Sequence, residues 1–206
     1  MNPRLGHSGC KCLSLSIKLN ANNADDHCSV GTAVEHHTLY QYQFANTQNI
    51  YAGFVQTETP YYQPNPSAPT PFSIESSLND PPFTTSCSGQ SGNCNTYPSP
   101  FHPQATHIFS GANAWGLRIL SSSNILIYGA GFYSFFDNYS TTCSDNPGPE
   151  NCQDNIFSLE GTLSNVNVYC LSTVGTTNMI TKNGASVALY SANVNTYPDT
   201  IARFTL

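Results

Sequence analysis

Three stretches of the sequence share one pattern: an alternating or apolar run, a small polar turn ending in Asn, then a second run rich in β-branched residues. It runs through residues 38–44, 45–49 and 50–55, again through 115–120, 121–124 and 125–128, and again through 156–160, 161–165 and 166–169. Alternation of period two sends successive side chains to opposite faces, so each run reads as a strand with one inward and one outward face. Helical periodicity is almost absent. A hairpin would place Asn-Gly or Asp-Gly between the runs. Here Asn49, Asn124 and Asn165 directly precede Ile50, Ile125 and Val166. Asn tolerates the left-handed backbone of a sharp corner, and stacked Asn side chains can hydrogen-bond along a column. The pattern predicts an all-β solenoid whose strand–turn–strand units stack. A β-sandwich with Asn-rich turns is the alternative at this point.

Charge and cysteine content narrow the class. The 206 residues hold 6 Lys and Arg against 12 Asp and Glu, a net charge of −6. Nucleic-acid binding is not expected, because phosphate neutralisation needs a basic face. No apolar run approaches the ~20 residues of a membrane helix. Eight cysteines lack the paired spacings of zinc sites. Cys87 and Cys94 bracket a Ser/Gly-rich loop, and Cys143 and Cys152 bracket Asp-Asn-Pro-Gly-Pro, so each pair is expected to be a disulfide pinning a surface loop. Asn138-Tyr139-Ser140 is a glycosylation sequon. Together these features suggest an extracellular protein, although residues 1–30 contain no signal peptide.

Two irregular stretches, residues 59–114 with ten prolines and residues 137–152, exceed the ~12–15 residues of ordinary loops and are expected to wall a groove. Among the acids, Glu75, Asp80, Asp145, Glu150, Asp154 and Asp199 sit in loop-like surroundings and read as solvated surface. Glu160 reads as a corner residue. Glu35 and Glu58 stand apart. Glu35 opens a Tyr/Gln-rich run, and Glu58 lies among aromatic and amide side chains of the kind that stack on and hydrogen-bond sugars. They are 23 residues apart, close to one solenoid turn, so they could share a face. Two carboxyls so placed repel, which raises the proton affinity of one and suits it to general-acid work. Surface glutamates in a polar strand are the plainer reading. His36 and His37, taken as strand neighbours, point to opposite faces and cannot chelate one ion together. No metal site is expected, and no cofactor.

At these residues the chain resembles a known family. EHHTLYQYQFANTQNIYAGFVQTETPYYQPNP (35–66), AWGLRILSSSNILIYGAGFYSFFDNYS (114–140) and TVGTTNMITKNGASVALYSANVNTYPDTIARF (173–204) are similar to the C-terminal part of fungal exo-β-1,3-glucanases of glycoside hydrolase family 55. The resemblance implies a right-handed parallel β-helix of the pectate-lyase-like superfamily, here incomplete and carrying long loops. It implies secretion, and release of glucose from β-1,3-glucan with inversion. Glu58 then matches the general acid, Glu35 a second acid tuning it, and Tyr61 and Tyr62 lie near the sugar. Inversion also needs a water-activating group ~6.5–9.5 Å from the acid. Family members are several times longer, with two β-helix domains and the active site between them. On this reading residues 1–34 are a truncated, irregular remnant of an earlier strand layer, and 35–206 the C-terminal part of a β-helix domain. A monomer acting on β-1,3-glucan is expected, marginally stable and with little hydrolase activity; a non-catalytic glucan-binding module or an inert truncated remnant is the alternative.

Overall fold

The computed structural model of the chain describes residues 17–20, 27–61, 72–81, 94–95, 111–112, 114–137, 139–145, 148–195 and 199–206. Fourteen strands, numbered along the chain, form two main sheets and one small pair among the described residues. The first sheet holds β1 (Ile17–Asn20), β3 (Tyr40–Ala45), β7 (Trp115–Leu120), β10 (Phe157–Glu160), β12 (Thr176–Lys182) and β13 (Ala185–Leu189), with β9 (Gln153–Asn155) beside β12. The second holds β2 (His27–Val34), β4 (Gln48–Thr57), β8 (Ser123–Tyr133), β11 (Ser164–Val174) and β14 (Asp199–Thr205). The small pair is β5 (Cys94–Asn95) with β6 (Gly111–Ala112). No α-helix occurs among the described residues.

Each repeat recognised in the sequence supplies one strand to each main sheet. β3 leads to β4, β7 to β8 and β10 to β11, and these units lie parallel and in register. The register stacks like on like: Ile50, Ile125 and Val166 form one column, Ala52, Ile127 and Val168 the next, and Tyr42, Leu117 and Phe157 a third on the opposite sheet. All nine are buried in one core shared by the inner faces of both sheets. Burying a side chain of this size contributes roughly 1.5–3 kcal/mol, so a slip by one residue, which would turn every inward side chain outward, is strongly disfavoured.

The turns carry the expected asparagine geometry. Asn49, Asn124 and Asn165 have φ of 58°, 53° and 52°. Asn124 donates its amide to Asn49 Oδ1 at 3.0 Å, Asn165 donates to Asn124 Oδ1 at 2.9 Å, and Asn167 donates to Asn165 Oδ1 at 2.8 Å. A second left-handed column crosses the second sheet at Gly31, Phe54, Gly129 and Cys170, with φ of 68°, 52°, 75° and 54°. The last strands reverse direction: β13 pairs antiparallel with β12, and β14 with β11. The β12–β13 reversal turns on Asn183-Gly184, with φ of 49° and 78°, the two-residue chemistry of a tight hairpin. Both sheets therefore change from parallel to antiparallel pairing on the side of the chain's last strands.

Among the described residues three acids are buried, and two of them, Glu150 and Asp199, were expected on the surface. Glu160 is 7% exposed and grips Arg118 with two bonds, Nε to Oε1 at 2.8 Å and Nη2 to Oε2 at 2.6 Å. Arg118 Nη1 also donates to Gln43 Oε1 at 2.7 Å and to the Asn79 carbonyl, and Gln43 Nε2 donates to the Leu78 carbonyl at 3.0 Å. These bonds fasten residues 78–79 over the outer face of the first sheet. Asp80 is part of the same attachment, accepting the Tyr40 hydroxyl at 2.8 Å. Glu150 and Asp199 are 5% and 4% exposed, not solvated. Burial raises the proton affinity of both, that of Asp199 to about 6. The Cys143–Cys152 disulfide forms as its loop suggested. Cys170 is a free, exposed thiol. Cys87, the side chain of Cys94, Asn138 and Tyr62 lie outside the described residues.

Candidate active site

Parallel pairing brings Glu35 and Glu58 together. The last paired residues of β2 and β4 are Val34 and Thr57, so both chains leave the second sheet at the same level and the next residue of each is a glutamate. The separation of 23 residues is thus one step in register across neighbouring strands. A carboxylate oxygen of each and a ring nitrogen of His36 all lie within 4.8 Å of one another. Glu35 is exposed, and His36 and Glu58 are half-buried.

His36 is held from three sides. It lies beyond the end of β2 rather than within a strand, and its φ of 62° swings the side chain toward Glu58. The strand geometry expected for the His36-His37 pair is therefore replaced by a bend. His36 Nδ1 lies 2.7 Å from the Thr59 carbonyl, and Nε2 lies 3.5 Å from Glu58 Oε2. A carbonyl only accepts, so Nδ1 carries the hydrogen and Nε2 faces the carboxylate. The imidazole stacks on Tyr61 with ring centroids 4.3 Å apart and 4° between the planes. The Tyr61 backbone N–H closes the arrangement on the His36 carbonyl at 3.4 Å. His37, in contrast, is turned into the protein, and burial followed by the neighbouring His36 charge lowers its proton affinity.

Amides brace the two glutamates, one at the backbone and one at the carboxylate. Gln41 Nε2 donates to the Glu58 carbonyl at 2.6 Å from β3, and Gln56 Nε2 reaches Glu35 Oε1 at 3.4 Å from β4. Thr59 Oγ1 accepts the Phe135 N–H at 2.6 Å, tying the segment after Glu58 to the chain beyond β8. Among the described residues, Arg118–Glu160 is the ion pair that involves Lys or Arg, and it contains neither site carboxylate. Among the described residues, the basic group facing the site carboxylates is the His36 imidazole. Such a cluster can donate a proton from a carboxyl, store one on the imidazole, or hold a cation. Tyr61, 42% exposed, offers a ring edge and hydroxyl at its mouth.

Of the residues singled out from sequence, the structure brings together Glu35, Glu58 and Tyr61. His36 was the member passed over, and its signal was its position directly after Glu35, where the strand ends.

No family model matches the chain. It is 42% identical over 170 residues, 81% of its length, to a glucan 1,3-beta-glucosidase of Cochliobolus carbonum, covering 18% of that protein. It is 40% identical over 174 residues to a probable glucan endo-1,3-beta-glucosidase of Arthroderma benhamiae, covering 84% of this chain and 17% of the relative. It is also 33% identical over 171 residues to a protein of Penicillium expansum named as a non-secreted LysM effector, covering 83% of this chain and 9% of the other. The chain thus spans less than a fifth of the length of the curated relatives it matches.

Proposed function

We propose that the chain is the part of a β-1,3-glucan hydrolase that carries the general acid, Glu58, with Glu35 beside it and Tyr61 and Tyr62 at the sugar. The observation that carries this reading is the convergence of Glu35, His36 and Glu58 at the ends of two parallel strands, with Tyr61 stacked at their edge. In an inverting hydrolysis Glu58 gives its proton to the glycosidic oxygen as the bond to the anomeric carbon breaks, and a water attacks from the opposite ring face. The relatives named as glucan 1,3-beta-glucosidases support the substrate class. One of the two names specifies endo attack; exo release of glucose follows from the family resemblance and is part of the proposal. So are secretion, action as a monomer, and closure of the two stacked sheets into a right-handed parallel β-helix, supported by the in-register units and the Asn column.

The test is sugar release from laminarin by the purified chain beside Glu58→Gln, with products separated by size. Glucose alone, lost in the variant, supports exo cleavage with Glu58 as acid; longer oligosaccharides support endo cleavage. No release from either, with laminarin still retarding the chain on an affinity gel, supports the second reading, a glucan-binding module without turnover. That reading draws on the similarity to a protein named as an effector rather than a hydrolase. No release and no binding refutes both.

A further inference from the structure

We infer that Glu35, His36 and Glu58 form a binding site for a first-row divalent cation of the zinc type. The inference uses the three side chains of the proposed active site but not its reaction.

Three independent features lead there. The first is donor chemistry: one imidazole nitrogen and two carboxylate oxygens, all within 4.8 Å of one another, make a nitrogen–oxygen set that suits zinc, with a fourth position left for water. The second is the orientation of the imidazole. Metal-binding histidines commonly donate their other ring N–H to a backbone carbonyl, which fixes the tautomer and aims the free lone pair. His36 does this: Nδ1 is bonded to the Thr59 carbonyl at 2.7 Å, and stacking on Tyr61 holds the ring. Nε2 then faces Glu58 Oε2 at 3.5 Å, so one ion can lie between the two atoms. The His36–Glu58 spacing matches the ~3.4 Å between ligands ~2.1 Å from a tetrahedral zinc, and Glu35 lies within 4.8 Å of both. The third is charge: neither carboxylate is paired with Lys or Arg among the described residues.

The experiment is calorimetric titration of ZnCl2 into the chain carrying Cys170→Ser, which removes the free thiol found among the described residues as a competing ligand. His36→Gln, Glu35→Gln and Glu58→Gln are tested in the same background, and cobalt spectra report the donor type. Loss of an outer partner of a ligand alone weakens metal binding roughly 10–100-fold, so loss of a ligand is expected to weaken it at least about tenfold. One zinc per chain, weakened in all three variants, with a cobalt spectrum free of thiolate bands, is the result expected. No binding, binding equal in parent and variants, or a thiolate-type spectrum alone overturns the proposal. If His36→Gln does not fold, Glu35→Gln, on an exposed side chain, carries the comparison. Neither readout requires turnover, so failure of the hydrolase reading leaves the metal result interpretable, and the reverse.

Discussion

Replacing Asn124 by Ala tests whether the asparagine column holds the stacked units together. Asn124 is its middle member, donating to Asn49 at 3.0 Å and accepting from Asn165 at 2.9 Å, at a φ of 53°. Both bonds are exposed, so each is placed near the low end of the usual range, about 0.5 kcal/mol. An alanine with left-handed backbone costs roughly 1–2 kcal/mol. The two contributions together give about 2–3 kcal/mol. For a chain of this length that lowers the melting temperature by about 4–12 °C. Asn124→Gly loses the same bonds but adopts the left-handed backbone freely, so it should recover part of the loss despite its greater chain entropy. Asn167→Ala, which removes only the terminal donor to Asn165, should cost roughly 0.5 kcal/mol. Urea unfolding followed by circular dichroism measures all three. Equal stability of Asn124→Ala and the parent would refute the reasoning, and Gly no better than Ala would refute its backbone part.

Other perturbations follow from the same structure. Arg118→Met leaves Glu160 charged, buried and without its bidentate partner, and should destabilise by roughly 3–5 kcal/mol in urea. Limited proteolysis should then cut near residues 78–79 sooner, since Arg118 and Gln43 hold those carbonyls. Asp199 binds its proton more tightly folded than unfolded, about 6 against an ordinary 3.8, because burial penalises its charge. The folded chain thus holds more protons between those values, and this contribution to stability is complete below pH 3.8 and lost as pH rises through 6. Asp199→Asn should flatten the melting temperature over that window, read by calorimetry at a series of pH values. Cys170→Gly should stabilise by about 0.5–1 kcal/mol, since an exposed thiol with φ of 54° occupies a position where Gly129 already sits in the neighbouring strand; an unchanged or lower unfolding midpoint would count against it.

The repeat of strand, Asn-ended turn and strand was legible because it depends on local chemistry. Asn can take a left-handed corner, and alternation decides which side chains face inward, so both are written residue by residue. The Cys143–Cys152 loop was legible for the same reason. The hairpin at Asn183-Gly184 had its signal in the sequence and was passed over, and with it the antiparallel strands that end both sheets. Glu150 and Asp199 read as surface residues in the sequence because burial is not a local property. Glu160 is the corner residue expected, but its burial against Arg118, 42 residues earlier, comes from the parallel register. At the candidate site the residue types and the spacing of Glu35 and Glu58 were visible in the chain. The role of His36 was not, because it depends on β2 ending before that residue, on a carbonyl 23 residues away, and on a stacked tyrosine. Sequence by itself determined the strands, the corners and the chemistry available. Only the tertiary structure decided which polar groups share a low-dielectric environment or a few ångströms, because proximity between distant residues comes from register, and register is settled by the whole core at once.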